Sequence, residues 1–102
     1  MERELKYPRR INVTESTFER LKDVALRERR TVSNLVCLMM EEEIEGIEDV
    51  QHLKKVKSIS VRIPPSLRAK IQLLAEAMDV SQYDLIEAAL EKGLEARSAM
   101  VR

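Results

Sequence analysis

The chain has 102 residues with 18 Lys and Arg against 18 Asp and Glu, a formal net charge of zero; this length holds one hydrophobic core and excludes two large independent domains. A hydrophobic content of 44% with 35% charged residues, two glycines and three prolines excludes a largely disordered chain and is typical of a mostly helical one. No stretch has the ~18 apolar residues of a membrane span and no secretory signal opens the chain, so we expect a cytoplasmic protein with no membrane partner.

A short strand is predicted at residues 9–13, where apolar and polar side chains alternate. Ile11 and Val13 lie on one face, and Arg10 and Asn12 lie on the other. This alternation is typical of a strand that buries one face and leaves the other in solvent.

Two helices are predicted to follow this strand. Thr14 or Ser16 offers an N-cap for the first helix, and the segment Thr31-Val32-Ser33-Asn34 signals the start of the second. Gly46 is a candidate end for the second helix. The apolar stripes that predict the two helices are Phe18, Leu21, Val24 and Ala25, then Leu35, Val36, Met39, Met40 and Ile44.

Residues 47–56 form a predicted linker that the pattern leaves open as helix or loop, since an apolar residue recurs at every third position. Fully extended, ten residues reach at most ~35 Å, enough to bring two strands of one chain together. His52, the only histidine, has no second ligand or base nearby in the sequence. We therefore interpret it as part of the linker surface.

The same order of elements is predicted again after the linker. A strand at residues 57–63 alternates Ile59, Val61 and Ile63 with Ser58, Ser60 and Arg62. A helix starts around Pro64-Pro65-Ser66 and another around Ser81-Gln82-Tyr83-Asp84, and Gly93 lies inside the second pattern. The stripes are Leu67, Ile71, Leu74, Ala75 and Met78, then Leu85, Ile86, Ala89, Leu90 and Leu94.

The two halves align without a gap when the chain is shifted by fifty residues. Apolar residues then fall on apolar residues, as Ile11 does on Val61, and helix caps fall on helix caps, as Thr31 does on Ser81. We predict a single pseudo-dimeric domain over residues 1–102, with repeat 8–46 and repeat 57–96 joined by linker 47–56.

The predicted fold class is mainly α with a two-stranded antiparallel ribbon, because each lone strand needs a partner and the four helices are the only apolar cover. A pseudo-twofold axis predicts that the numbers of paired residues sum to about 70. Arg10 is then opposite Ser60, Asn12 is opposite Ser58, and Arg62 faces Pro8.

The zero net charge hides an uneven distribution. Residues 1–30 carry nine basic and six acidic side chains, and residues 31–50 carry six acidic side chains and no base. Residues 51–72 carry six Lys and Arg and no acid. Basic charge thus gathers around both strands, which favours a polyanionic partner.

The exposed ribbon face and its charge indicate double-stranded DNA. A two-stranded ribbon fits the ~12 Å major groove of B-DNA, and Arg, Asn and Ser hydrogen-bond base edges there. A strand followed by one helix and then by a helix opening at Thr31 or Ser81 resembles the ribbon-helix-helix family of the Arc, CopG and MetJ repressors. Its presence twice in tandem is similar to the TraY-like arrangement.

The resemblance implies a prokaryotic DNA-binding protein and roles for particular residues. The outward strand residues would contact bases: Arg10, Asn12, Ser58, Ser60 and Arg62. The start of the second helix of each repeat would contact phosphate: Thr31, Val32, Ser33, Ser81, Gln82 and Tyr83. The first strand departs from the family pattern at Pro8, which replaces an outward polar side chain, and at Arg9, an inward position that is usually apolar.

Several functional alternatives stay open at this point. A sequence-specific DNA binder could be a transcriptional repressor or an accessory factor that organises DNA, and the different-class alternative is a small helical protein-interaction module that uses the ribbon face. We expect no enzyme, cofactor or metal site, and we interpret Cys37 as core. The sequence leaves open self-association along DNA and interchain pairing; we favour a monomer with an intrachain ribbon.

Overall fold

The computed structural model describes residues 5–100, with side chains described up to Ser98. Two strands and four α-helices follow one another, with a short 3₁₀ turn after the second helix. In chain order they are β1 (Tyr7–Val13), α1 (Glu15–Glu28), α2 (Val32–Glu43), the 3₁₀ turn (Ile44–Gly46), β2 (Lys57–Ile63), α3 (Pro65–Met78) and α4 (Gln82–Met100). The strands, the first helices and the second helices of the two halves each begin fifty residues apart.

The strands pair antiparallel in the predicted register. Arg10 lies opposite Ser60, Asn12 opposite Ser58, and Arg62 opposite Pro8. The first strand begins at Tyr7, two residues earlier than the alternation predicted. Pro8 is tolerated because the backbone N–H of its partner Arg62 donates instead to the Ser33 hydroxyl, at 2.9 Å, so that cross-strand pair needs no donor from proline.

Side-chain caps set three of the four helix starts. The Thr14 hydroxyl accepts from the Thr17 backbone N–H at 3.2 Å, which makes Thr14 and not Ser16 the cap of α1. Thr31 caps α2 by accepting from the Asn34 N–H at 3.0 Å. Ser81 accepts in the same way from the amide of the third residue of α4. These caps satisfy N–H groups that have no partner within a helix.

The first turn of α3 is built differently. Pro64 takes the cap position with no side-chain hydrogen bond, and Pro65 is the first helical residue. Proline suits this position because its missing N–H has no intrahelical partner to lose.

Both strand-following helices end in a left-handed residue. Arg29 has φ 56° and Asp79 has φ 57°. The next residue in each case donates its N–H back into the helix, Arg30 to Ala25 at 2.9 Å and Val80 to the Ala75 carbonyl at 3.0 Å. This closure turns the chain sharply into the next helix.

One hydrophobic cluster takes residues from both halves and lies between the inner ribbon face and the helices. The helix α2 packs against α4 and against β2, and α4 also packs against β1, so each half covers the strand of the other. The fully buried large side chains are Ile11, Leu21, Leu35, Met39, Met40, Ile44, Ile63, Ile71, Leu85, Ile86, Leu90 and Leu94. Burying each stabilises the fold by ~1.5–3 kcal/mol relative to exposure.

Gly93 lies inside α4, where α2 approaches it closely. A Cβ at this position would lie 2.7 Å from Met39 Cε and 3.1 Å from Met39 Cγ. The glycine that weakened the sequence-based prediction of α4 is thus a packing requirement of the α2–α4 contact.

The linker is neither helix nor strand from Ile47 to Val56. Ile47 and Val50 pack against the core cluster, whereas Val56 is exposed. In the described part of the chain, no helix is both long and apolar enough to span a membrane.

Candidate nucleic-acid interface

The outer face of the ribbon is polar and accessible. Arg10, Ser58, Ser60 and Arg62 are exposed and Asn12 is half-buried, while the alternating residues Ile11, Val13, Val61 and Ile63 are buried. Ile59 is only half-buried, which departs from the predicted fully buried inner face. The structure therefore brings all five predicted base-contacting side chains onto one solvent-facing surface.

Two of these side chains interact across the strands. Arg10 Nη1 donates to Ser58 Oγ at 3.3 Å. Arg10 and Arg62 have no acidic partner among the described residues. Their guanidinium groups are therefore available as hydrogen-bond donors to another molecule.

The first turn of α2 lies beside the outer edge of β2. Ser33 Oγ accepts from the Arg62 backbone N–H, and Thr31 caps the helix. The amides of Val32 and Ser33 are among those that an α-helix leaves without a carbonyl partner. The helix dipole adds positive potential at this end, so the α2 start combines both features of an anion site next to the ribbon.

The first turn of α4 lies beside β1 in the corresponding way. Arg9 Nη2 donates to Gln82 Oε1 at 2.7 Å, and the Arg9 guanidinium carbon lies 5.9 Å from the centre of the Tyr83 ring. Burial lowers the pKa of Arg9, and the charge of Arg68 adds to this, while Tyr83 opposes it. The unusual inward arginine thus joins the strand to the helix end that was predicted to contact phosphate.

The linker also docks on the start of α4, which the sequence interpretation of His52 missed. Lys55 Nζ forms an ion pair with Asp84, and His52 Nδ1 lies 3.0 Å from Asp84 Oδ2. The His52 side chain is exposed, as predicted, and the fold brings it beside Asp84, a carboxylate that is distant in the sequence. The linker and α4 meet through side chains 32 residues apart, a contact that sequence periodicity does not reveal.

Asp84 is held as a carboxylate by these contacts. Burial is the largest single influence and opposes ionisation, but hydrogen bonds from Lys55, His52 and Ser81 together outweigh it and lower the pKa of Asp84. The Asp84 carboxylate is buried and paired with Lys55. The cleft beside it is also lined by His52, Lys54, Ser81 and Tyr83. The ion pair with Lys55 neutralises the acidic charge of this turn.

Acidic side chains concentrate away from the ribbon. Several of them line a cleft between the end of α2, the linker and α4, in which Lys92 donates to the Gly46 carbonyl at 3.1 Å. Arg97 pairs with Glu28 at 3.0 Å and with Glu42 at 3.4 Å, which ties α4 to α1 and α2. The acids behind the ribbon are thus partly paired with bases, whereas Arg10 and Arg62 on the ribbon face have no acidic partner among the described residues.

No group of three or more His, Cys, Asp or Glu side chains in the described residues is placed to hold a metal ion. Cys37 is buried and donates to Glu41 Oε1 at 3.0 Å. Burial raises the pKa of the Cys37 thiol to about 11, with a further contribution from Glu41. The thiol is therefore a core group and a poor nucleophile at neutral pH.

The second half of the chain has a recognisable family sequence. Residues 57–97 match the ribbon-helix-helix proteins of the copG family. Proteins of this family are typically DNA-binding transcription regulators and not enzymes. The match covers β2, α3 and most of α4, and residues 8–46 lie outside it. Comparison with curated proteins and comparison with solved structures gave no match.

Proposed function

We propose that this protein binds double-stranded DNA sequence-specifically by placing the β1–β2 ribbon in the major groove. The observation that carries the proposal is the polar ribbon face of Arg10, Asn12, Ser58, Ser60 and Arg62, with a helix start beside each strand. A ribbon of this width fits the groove, and these side chains match the donors and acceptors of base edges. The role would be that of a transcriptional repressor or of an accessory factor that organises DNA in the cytoplasm of a prokaryotic cell.

Phosphate contacts would fix the position of the ribbon on the duplex. The candidate groups are the first turns of α2 and α4, at Thr31, Val32 and Ser33 and at Ser81, Gln82 and Tyr83. Free amides and helix dipoles favour phosphate there, and such contacts carry affinity without sequence information.

We favour repeats 8–46 and 57–96 as a tandem, TraY-like duplication whose two halves pair within one chain. Glu87, on α4, supports the pairing of unlike halves because it is buried and accepts from Thr14 and Thr17 of the first half. If two second halves paired instead, the residue equivalent to Thr14 would be Pro64, which offers Glu87 no donor. A buried carboxylate without donors is costly.

An intrachain ribbon gives an asymmetric reading surface. Arg62 faces Pro8 on one side of the pseudo-axis, and Asn12 faces Ser58 on the other. A non-palindromic subsite is therefore expected, with Arg10 and Arg62 as candidates for guanine contacts. Several molecules could line up along DNA at adjacent subsites.

The test is selection of bound sequences from a random duplex pool at moderate salt, with the mass of the free protein measured in parallel. An enriched asymmetric motif and a monomer mass support the intrachain ribbon. A palindromic motif with a dimer mass supports pairing between chains. Absence of any enrichment moves the assignment to a protein-interaction module. A protein partner that added a strand to the outer edge of β2 would need the Arg62 backbone N–H as a donor. That N–H already donates to Ser33 Oγ, which opposes this mode of protein binding.

Substitution of Arg62 distinguishes sequence-specific base contacts from non-specific electrostatic binding of DNA. Arg62→Ala is expected to cost ~1–3 kcal/mol of discrimination at one position of the motif. The matched control is Arg27→Ala, which removes an exposed arginine paired with Asp23 on α1 and should leave the motif unchanged. Equal binding of random duplex and of the selected motif by both wild type and Arg62→Ala would contradict sequence-specific reading.

A further inference from the structure

One end of the ribbon carries two arginines without acidic partners. Arg9 on β1 and Arg68 on α3 form no ion pair with any carboxylate of the described residues. They line a common cleft of about 250 Å³. Its other lining residues are Tyr7, Pro8, Ile63 and Pro65. Two cations therefore share a cleft in which no described carboxylate balances them.

Arg9 has an unmet bonding requirement in this cleft. Its Nη2 donates to Gln82, but its Nη1 is buried and has no hydrogen-bond partner among the residues that the structure describes. Arg68 adds like charge and opposes the charged form of Arg9. Buried donors are nearly always satisfied, and one left unsatisfied disfavours the fold. An inward arginine therefore needs an explanation beyond packing.

We infer that the Arg9–Arg68 cleft is an anion subsite that holds a backbone phosphate of bound DNA beside the first turn of α4. A phosphate in this cleft would supply an anion for the two cations, relieve the repulsion between the two guanidiniums, and lie next to Gln82 and Tyr83, which Arg9 already contacts. Arginine is suited to this because its planar fork binds phosphate in a bidentate manner. The inference rests on the DNA-binding function proposed above.

The opposite end of the ribbon lacks this arrangement. Fifty residues away, Ile59 takes the place of Arg9 and Phe18 takes the place of Arg68. Two ammonium groups lie over the Phe18 ring there, Lys22 Nζ at 4.7 Å and Lys57 Nζ at 5.7 Å from its centre, and Lys22 is paired with Glu19. Among the described residues, one end thus offers two guanidiniums without an acidic partner, and the other offers one such ammonium, that of Lys57. The two flanking phosphates are held unequally, so the protein docks on the duplex with one preferred polarity.

The salt dependence of DNA affinity tests the subsite. Fluorescence anisotropy with a fixed duplex would compare wild type, Arg9→Ile, Arg68→Gln and the double variant over a range of salt. Loss of one phosphate contact makes the slope of log affinity against log salt shallower by ~0.9. We expect the double variant to show this change and to bind about tenfold more weakly at low salt. The control Lys70→Gln removes an exposed base on α3 that pairs with Glu45 and should behave as wild type.

Unfolding curves distinguish a phosphate-binding role of Arg9 from a purely structural one. Isoleucine is the residue of the equivalent position, so Arg9→Ile should fold with unchanged or raised stability while it loses DNA affinity. A structural arginine would give the reverse, with lower stability and an unchanged slope. Arg68 is exposed, so Arg68→Gln keeps the test valid even if Arg9→Ile folds poorly.

The outcomes distinguish two failures. If wild type binds DNA with a clear salt slope and the double variant keeps that slope, the subsite is refuted and the DNA-binding function stands. If wild type shows no salt-dependent binding to any duplex, both proposals fall.

Discussion

The buried carboxylate of Glu87 gives the sharpest test of how the two halves hold together. It is 1% exposed, and it accepts from the Thr14 backbone N–H at 2.9 Å, from Thr14 Oγ1 at 3.2 Å and from Thr17 Oγ1 at 2.5 Å. These donors belong to the start of α1, whereas Glu87 is on α4. One side chain therefore fixes the end of β1 and the first turn of α1 against the second half.

Replacing Glu87 with Gln keeps the shape and removes the charge. The amide has only one oxygen, so its NH₂ group must face either the Thr14 N–H or the two threonine hydroxyls, which then lose a charged acceptor. Each hydrogen bond to a charged group contributes ~1.5–3 kcal/mol, and an unsatisfied buried donor costs ~1–3 kcal/mol. The lower desolvation cost of the neutral amide offsets part of this. We expect a net loss of about 2–4 kcal/mol in the free energy of unfolding.

The assay is urea unfolding followed by circular dichroism at pH 7, with the slope checked for two-state behaviour. In a domain of this size each kcal/mol shifts Tm by ~4–8 °C, so Glu87→Gln should melt roughly 8–32 °C below wild type. The matched control is Glu91→Gln, one turn further along α4. Burial, followed by the charge of Glu87, raises the pKa of Glu91.

The control variant Glu91→Gln should change the free energy of unfolding in the opposite direction. A carboxyl whose folded pKa is raised contributes its stabilisation below the unfolded pKa and loses it as pH rises through the folded pKa. At pH 7 the charged Glu91 is thus a destabilising group, and Glu91→Gln should be neutral or stabilising. If Glu87→Gln cost no more than Glu91→Gln, or less than about 1 kcal/mol, the assignment of the carboxylate as the clamp of α1 would be refuted.

Three further predictions concern α4, its contacts and the core thiol. Asp84→Asn should lower the unfolding free energy at pH 7 by about 2–3 kcal/mol because Lys55 loses its buried partner. Since the pKa of Asp84 is lowered, its contribution is present above the unfolded pKa, and the difference between variant and wild type should close as pH falls through the folded pKa. Gly93→Ala should lower the unfolding free energy by about 1 kcal/mol in urea titration, since overpacking against Met39 at 2.7 Å outweighs the helix propensity gained. Alkylation of Cys37 by iodoacetamide at pH 8 should be about 100-fold slower in the native protein than in urea, because its pKa is raised to about 11.

The strand register was predictable from sequence because two constraints agree. The alternation at Ile11 and Val61 fixes which face of each strand is inward. The fifty-residue repeat then fixes the pseudo-axis, which leaves one antiparallel register that keeps both inner faces on the core. Helix starts were predictable for a related reason, since a cap such as Thr31 acts on an amide three residues away.

The contacts between distant side chains were not predictable in the same way. The bond from His52 to Asp84 joins residues 32 positions apart, and that from Arg9 to Gln82 joins residues 73 positions apart. Neither belongs to a periodic pattern, because each depends on how the irregular linker or the strand end meets α4. The division of the chain into repeats 8–46 and 57–96 and the roles of individual ribbon side chains stay predictions.

The repeat itself holds a signal for the features that periodicity missed. Arg9 falls on Ile59 and Glu87 falls on Cys37 when the halves are aligned, so each is a charged residue at a position that is apolar in the other half. Both lie where α4 meets β1 and the start of α1. The opposite junction, where α2 meets β2, has the apolar residues Ile59 and Cys37 at the equivalent positions. A chain that is polar at one junction and apolar at the other favours the pairing of unlike halves, since a buried charge is tolerated only where its partners are present. The same two differences between the halves would therefore favour the pairing of unlike halves, through Glu87, and, in the proposed DNA complex, an unequal contact surface, through Arg9.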